Sequence, residues 1–278
     1  MLENVTNTAV VEDCFNLMFA SDQICDAFKE AGRDHLNFAQ FGSITSSGDK
    51  FAVQLLEKYR TNWDAHKKVE EEIGFRSAPL VPKTQAESIL AFVLGWLCHR
   101  AVGNQLKPDS TEAGLYQDAF IFGRLYMNNS PASAAIGSQE LAELFRALQQ
   151  RFLIEMHTFV PDVEDIEGWF DKLHVKYRER TAYMDLYAEA VMNPDPAKEK
   201  QFVSDTNFYD DGDAVIQLAQ ALRKGVIPSQ QEIEAAIAAE PKSRYARALK
   251  QGYGSLLSAN AFFSGIIDQQ KLNDLLAV

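Results

Sequence analysis

The side chains here with the widest chemical reach are the five histidines, His35, His66, His99, His157 and His174. His66 falls in register with Leu55, Leu56, Tyr59, Trp63 and Ile73 on one apolar helical stripe, and His99 closes the apolar run from Ile89 to Cys98. A buried imidazole has to hydrogen-bond or ligate, because an unpaired polar group in a core is costly. Taken singly, each reads as a hydrogen-bonded core histidine. Taken with Asp49 at a helix start, His66 and His99 compose a two-histidine, one-carboxylate metal set. Spacing leaves both readings open, since the three residues stand on different elements. His35, beside Asp34 and ahead of a loop around Gly42, is a second candidate for a cleft; the plain alternative is a loop histidine paired with the adjacent acid. His157 follows Glu155, and His174 sits among Lys172, Lys176 and Arg178, so both read as surface side chains.

Other chemistries find less support. Asp205, Asp210, Asp211 and Asp213 lack the alternating pattern and terminal Glu of a calcium loop and read as a solvated turn that caps the next helix. There is no G-x-S-x-G, no H-E-x-x-H, no Walker loop and no G-x-G-x-x-G after a strand. The three cysteines, Cys14, Cys25 and Cys98, are odd in number and show no C-x-x-C spacing, which argues against a disulfide framework. Cys98, inside the most apolar run, reads as a small buried hydrophobe.

The elements that would position these residues are helical almost throughout, with no alternating β-branched segments bounded by turns. A first helix is expected over about 10–31, ended by Gly32, followed by a Gly/Ser/Thr loop at 41–49 and a second helix with Asp49 at its positive end. Thr84 and Glu87 form a T-x-x-E capping box ahead of a helix over 84–107 that is apolar all round and therefore central. Further helices are expected at about 111–127, 138–158, 163–192, 212–224, 230–239, 243–258 and 260–276. Ser229 and Glu232 form a second capping box. The fold class expected is an all-α, multi-helix bundle around the 84–107 helix. Residues 1–225 form its main domain, and 226–278, after the Ile227-Pro228 break, form a C-terminal helical extension packed on it or part of the same domain.

At 278 residues the chain can bury a core without disulfides or metals. A formal charge of −12 disfavours a nucleic-acid binder, which needs basic surface to displace counterions, and disfavours adhesion to anionic membranes. No apolar run is long enough to span a bilayer. Met1-Leu2-Glu3-Asn4 has neither a basic nor an apolar leader pattern, so a cytoplasmic location is the expectation.

The run Phe92-Val93-Leu94-Gly95-Trp96-Leu97-Cys98-His99 resembles the signature helix of the bacterial zinc-dependent phospholipase C family, L-G-[FYW]-L-C-H-x3-D-x3-H-P. The loop from Phe38 to Asp49 resembles that family's F-x-x-G-x-x-x-P-D segment, and Asn207-Phe208-Tyr209-Asp210 resembles a region near its C-terminal end. The likeness spans about 10–225 and implies a phospholipase C/P1-nuclease-like helical fold. It further implies one zinc held by Asp49, His66 and His99. The departures fall on the other ligands. Gly103 stands at the family's Asp position and Lys107 at its second His, with Pro108 kept, and 109–127 contains no histidine. Clustered zinc is what activates water and steadies the phosphate in such chemistry. The resemblance therefore implies degenerate, weak or absent catalysis and a cleft repurposed for a small molecule or a protein partner. Lys107 reads either as an ammonium replacing lost metal charge or as a residue favoured at a helix C-terminus. Two alternatives stand beside this reading. One is a phosphoester hydrolase with a single metal. The other is a helical protein-interaction module presenting Ala261-Phe262-Phe263 and Ile266-Ile267.

Overall fold

Among the residues that the structure, a computed structural model, describes (4–43, 56–57, 59–61, 83–126, 175, 190, 192 and 194–276), every regular element is a helix and no strand occurs. In chain order the helices are α1 (Asn4–Ala20), α2 (Asp26–Asp34), α3 (Leu36–Ser43), α4 (Lys83–Gln105), α5 (Thr111–Leu125), α6 (Pro196–Glu199) and a π-helical turn (Lys200–Ser204). They continue with α7 (Ala214–Arg223), α8 (Gln230–Ala238), α9 (Arg244–Phe263) and α10 (Gln269–Leu276). No helix among the described residues is long and apolar enough to cross a membrane.

Two helices occupy the middle. α4 packs against α3, α9, α2 and α1, and buries Ile89 to Cys98 apart from no more than a rim of surface. Its tightest neighbour is α3: a Cβ at Gly95 would land on the carbonyl of Ala39, and one at Gly42 on the carbonyl of Phe92. Only glycine permits so close a backbone approach. The stretch 41–43 is therefore helix, not loop, and Gly42 serves packing rather than a turn. The second central helix is α1, which packs against α9, α5, α4, α7 and α3 and is enclosed on all sides despite Thr6, Asn7, Thr8 and Asp13. Cys14 of α1 and Cys98 of α4 meet beneath Gly252 of α9. Cys98 is a buried small residue, as its sequence setting predicts.

The expected helix over 10–31 is two helices. The linker between them carries no Pro or Gly; α9 imposes it, since Tyr253 donates to Ser21 Oγ (2.7 Å), Cys25 N–H to Asn260 Oδ1 (2.9 Å) and Asn260 Nδ2 to the Gln23 carbonyl (2.9 Å). The α4 helix starts at Lys83, so Thr84 lies inside its first turn rather than at the cap, and it ends at Gln105 rather than 107. The expected break near residue 259 falls instead after Phe263, where Gly265 takes φ +75° in the left-handed region. The Ser229–Glu232 capping box is present in both halves: Ser229 Oγ accepts from Glu232 N–H, and the Glu232 carboxylate accepts from Ser229 N–H (2.7 Å).

The segment after residue 225 shares the core of what precedes it. Leu249, Tyr253, Leu256 and Phe262 of α9 belong to one buried cluster with α1 and α4, and Phe28 meets Phe263 edge to face at 5.1 Å. Of the apolar face expected there for a partner, Phe262 and Phe263, 3% and 7% exposed, are spent on the protein's own core, whereas Ile266 is 75% exposed. The expected helices at 138–158 and 163–192 lie largely outside the described residues.

Candidate functional site

The proposed metal set is only partly placed. Asp49 and His66 lie outside the described residues, as do His157 and His174. His99 is half-buried near the C-terminal end of α4, with Nδ1 turned away from solvent. Gly103 is exposed, and a Cβ there would meet nothing within 4 Å. Lys107 lies two residues past the helix with its side chain exposed, while its carbonyl accepts from Arg244 Nη2 (2.9 Å) and the Gln105 carbonyl from Arg244 Nε (2.9 Å). The cation that caps this helix end is thus Arg244, not Lys107. Among the described residues no group of three or more His, Cys, Asp or Glu is arranged to hold a metal.

His35 caps the end of α2 rather than leading into a loop, and its partner is not the exposed Asp34. Its Nε2 stands 3.7 Å from the Glu87 carboxylate on α4, and its ring meets Phe38 edge to face at 5.9 Å. The pair joins α2, α3 and α4.

The acidic cluster divides into separate structural tasks. Asp213 is 2% exposed, so it is no solvated turn. It occupies the N-cap position of α7, where its carbonyl accepts from Gln217 N–H (2.9 Å) but its side chain makes no cap bond; the carboxylate instead accepts from Lys242 N–H (2.7 Å), Ser243 N–H (2.9 Å) and Ser243 Oγ (2.6 Å), which fixes the start of α9. Asp210 accepts from Gly212 N–H (2.8 Å) in a local turn. Asp211 pairs with Arg124 and accepts from Gln220 Nε2 (2.7 Å). The hydrogen bond from Arg124 holds Asp211 below the usual carboxylate range and lifts Arg124 in return.

Two arrangements remain that composition and spacing do not announce. The first is a buried ionic cluster on α1. Arg223, the last residue of α7, pairs with Asp13, reaches Glu12 Oε2 (3.4 Å) and donates to the Ala9 carbonyl (3.3 Å). Tyr245 donates to Asp13 Oδ2 (2.9 Å), Tyr126 to Glu12 Oε2 (2.7 Å) and Gln40 Nε2 to Glu12 Oε1 (2.8 Å). Burial pushes Asp13 above its ordinary value, and the guanidinium offsets this only in part. Burial opposes the Arg223 charge, but Asp13 beside it leaves its pKa raised. Tyr245 is pushed well up by burial, and Tyr209, its ring 5.1 Å away and tilted by 55°, is pushed up to about 12 for the same reason. The cluster ties α1 to α3, α5, α7 and α9. With Asp13 at 3% and Glu12 at 11% side-chain exposure, it has no room for a substrate, and its work is structural.

The second arrangement is a cleft of about 280 Å³ along the outer side of α5. One face of α5 is committed to the core: Ile121, Phe122 and Leu125 are buried, and Asp118 accepts from Thr6 N–H (2.9 Å) and Thr6 Oγ1 (2.5 Å). The outer face carries Tyr116, Phe120 and Gly123, and Ala119, 5% exposed, lies where that face turns into the core. The two small residues lie beside the two aromatic ones and leave a notch along that edge of the helix. Ala190, Pro194 and Glu199 line the other side, with Arg124 also in the lining. Asp195 caps α6 through Ala197 N–H (2.9 Å), with Pro196 at the first helical position. The π-turn then aims Phe202 at Tyr116 (centroids 5.8 Å apart), and Gln117 Nε2 donates to the Phe202 carbonyl (3.0 Å). Lys198 pairs with Glu112 (2.9 Å), strapping this wall to α5. Behind the cleft, Phe120 meets Tyr209 at 5.5 Å.

Sequence reasoning passed over this cleft because 109–127 drew attention only for its missing histidine. The available signal was a stripe of aromatic and small residues on the face of α5 opposite its buried one. The π-turn and the wall formed by Ala190, Pro194 and Glu199 carry no local signature. No known family model, curated protein or solved structure matches this chain.

Proposed function

We propose that this chain is a ligand-binding helical protein with weak or absent catalysis, and that the α5 cleft takes a small molecule with an apolar, flat body. The observation that carries this reading is a cleft lined by two aromatic residues of α5, Tyr116 and Phe120, beside the small residues Ala119 and Gly123. Ligand sites are typically concave, mostly apolar and supplied with a few polar groups, in volumes from about 300 Å³ upward. A cleft near the foot of that range suits a single-ring ligand. The likeness to zinc-dependent phospholipase C points the same way, since Gly103 offers no ligand atom and Lys107 offers a positive charge where a lone pair would be needed.

Saturation-transfer NMR with indole is the direct test. Saturable binding is expected for the wild type and is expected to vanish in Ala119→Leu, whose added methyls occupy the notch, with an unchanged far-ultraviolet spectrum. Absence of saturable binding at millimolar indole, or binding indifferent to Ala119→Leu, overturns the proposal. The single-zinc hydrolase reading is separated by metal analysis of protein purified without added zinc. One equivalent of zinc, with phosphodiester turnover of about 1 s⁻¹ or more that is lost in His99→Ala, would replace the binding reading with a metallohydrolase.

A further inference from the structure

Resting on the reading of the α5 cleft as a ligand site, we infer that its ligand is an organic cation: an ammonium group carried on an aromatic body. The charges around the cleft decide this. Arg124 is already neutralised by Asp211, which Gln220 holds in place, and Lys198 is taken by Glu112. Glu199 remains. Its carboxylate is half-buried in the cleft wall, and no hydrogen bond or ion pair reaches it among the described residues. Lys200 follows it directly, but adjacent residues of a helical turn project to different sides.

A carboxylate held partly out of water without a counter-ion is an incomplete arrangement, and a cation is what completes it. The aromatic lining of the same cleft favours the same partner, because rings such as Tyr116 and Phe120 carry a negative quadrupole on their faces that attracts an ammonium group. The rest of the ligand has to be apolar, to fill the notch over Ala119 and Gly123. The overall charge of −12 raises the local concentration of such a cation and disfavours an anionic ligand.

The inference is tested by calorimetric titration of the full chain at pH 7 with three compounds of nearly equal shape: phenethylamine (cationic), 2-phenylethanol (neutral) and 3-phenylpropionate (anionic). Phenethylamine is expected to bind about tenfold more tightly than 2-phenylethanol, as a charge-assisted hydrogen bond allows, and 3-phenylpropionate most weakly. Glu199→Gln is expected to abolish the preference for the amine and leave the affinity for 2-phenylethanol unchanged. Because the Glu199 side chain has no partner to lose, this variant keeps the fold. Equal binding of the three compounds, or a preference for the amine that survives Glu199→Gln, overturns the cation assignment while leaving the cleft a binding site. A preference for 3-phenylpropionate also overturns it and makes Arg124 the recognising group. If none of the three binds and indole is silent as well, both the cation assignment and the binding reading fall.

Discussion

The two central helices reach the same degree of burial by opposite means. α4 is apolar all round and meets its neighbours through dispersion and through glycines that let backbones touch. Any residue at Gly95 or Gly42 larger than hydrogen collides with a main-chain carbonyl. α1 takes polar groups into the interior and satisfies them with partners distant in sequence: Thr6 with Asp118, Asp13 with Arg223 and Tyr245, Glu12 with Tyr126 and Gln40. The two fail differently. A packed apolar surface loses volume fit, whereas a buried polar network loses compensation, and leaving one ionised partner alone costs more than the pair contributes.

That contrast can be broken at four points. The largest effect is expected for Gly95→Leu, where nothing flexible can yield between α3 and α4. A loss of about 4 kcal/mol in urea unfolding, or failure to fold, is expected. A loss under about 1 kcal/mol would mean that α3 can retreat from α4. Next, Arg223→Met leaves Glu12 and Asp13 facing each other without a cation and should cost about 3 kcal/mol. Combining it with Asp13→Leu should recover part of that loss, which a double-mutant cycle reads directly. If the double variant is instead less stable than Arg223→Met, the pair is a net source of stability. Thr6→Val removes one hydroxyl donor to Asp118 and should cost about 1.5 kcal/mol.

The smallest effect concerns pH. Burial raises Asp13 above 3.8 in the folded chain, so the fold holds this proton more tightly than the unfolded chain does. Such a group favours folding at low pH, and its contribution fades as pH rises from below 3.8 through the raised native value. The stability of Asp13→Asn relative to wild type should therefore improve with rising pH across that window. Movement in the opposite direction would show that the Arg223 guanidinium outweighs burial and that the pair is fully ionised when folded.

The same physics explains how legible each part was. The α4 helix stands out because an unbroken apolar run from Ile89 to Cys98 has no stable exposed face. The Gly in Leu94-Gly95-Trp96 has a packing reason independent of any family likeness, since α3 lies directly on it. α1 does not stand out, because Thr6, Asn7, Thr8, Glu12 and Asp13 give it the pattern of a solvated helix, and it takes distant partners to compensate Thr6, Glu12 and Asp13. The 21–25 break was hidden for the same reason: Tyr253 and Asn260, over two hundred residues away, hold that linker. At the cleft, Tyr116 and Phe120 stand in an aromatic stripe, but Glu199 is one acid among 39 until the fold brings it to the same cleft, with no counter-ion among the described residues.

By itself the sequence determined the helical class, the central position of α4, the Ser229–Glu232 cap and the burial of Cys98. Each of these follows from periodicity, a short-range hydrogen bond or an uninterrupted apolar run, and such forces act over a few residues. The tertiary structure alone decided that a polar α1 is core, that Asp213 fastens the start of α9, that Phe262 and Phe263 face inward, and that Glu199, without an ionic partner among the described residues, lines the same cleft as Tyr116 and Phe120. In each case the deciding term is compensation of a charge, a polar group or an apolar face by a group remote in the chain. Only the folded arrangement brings the two together.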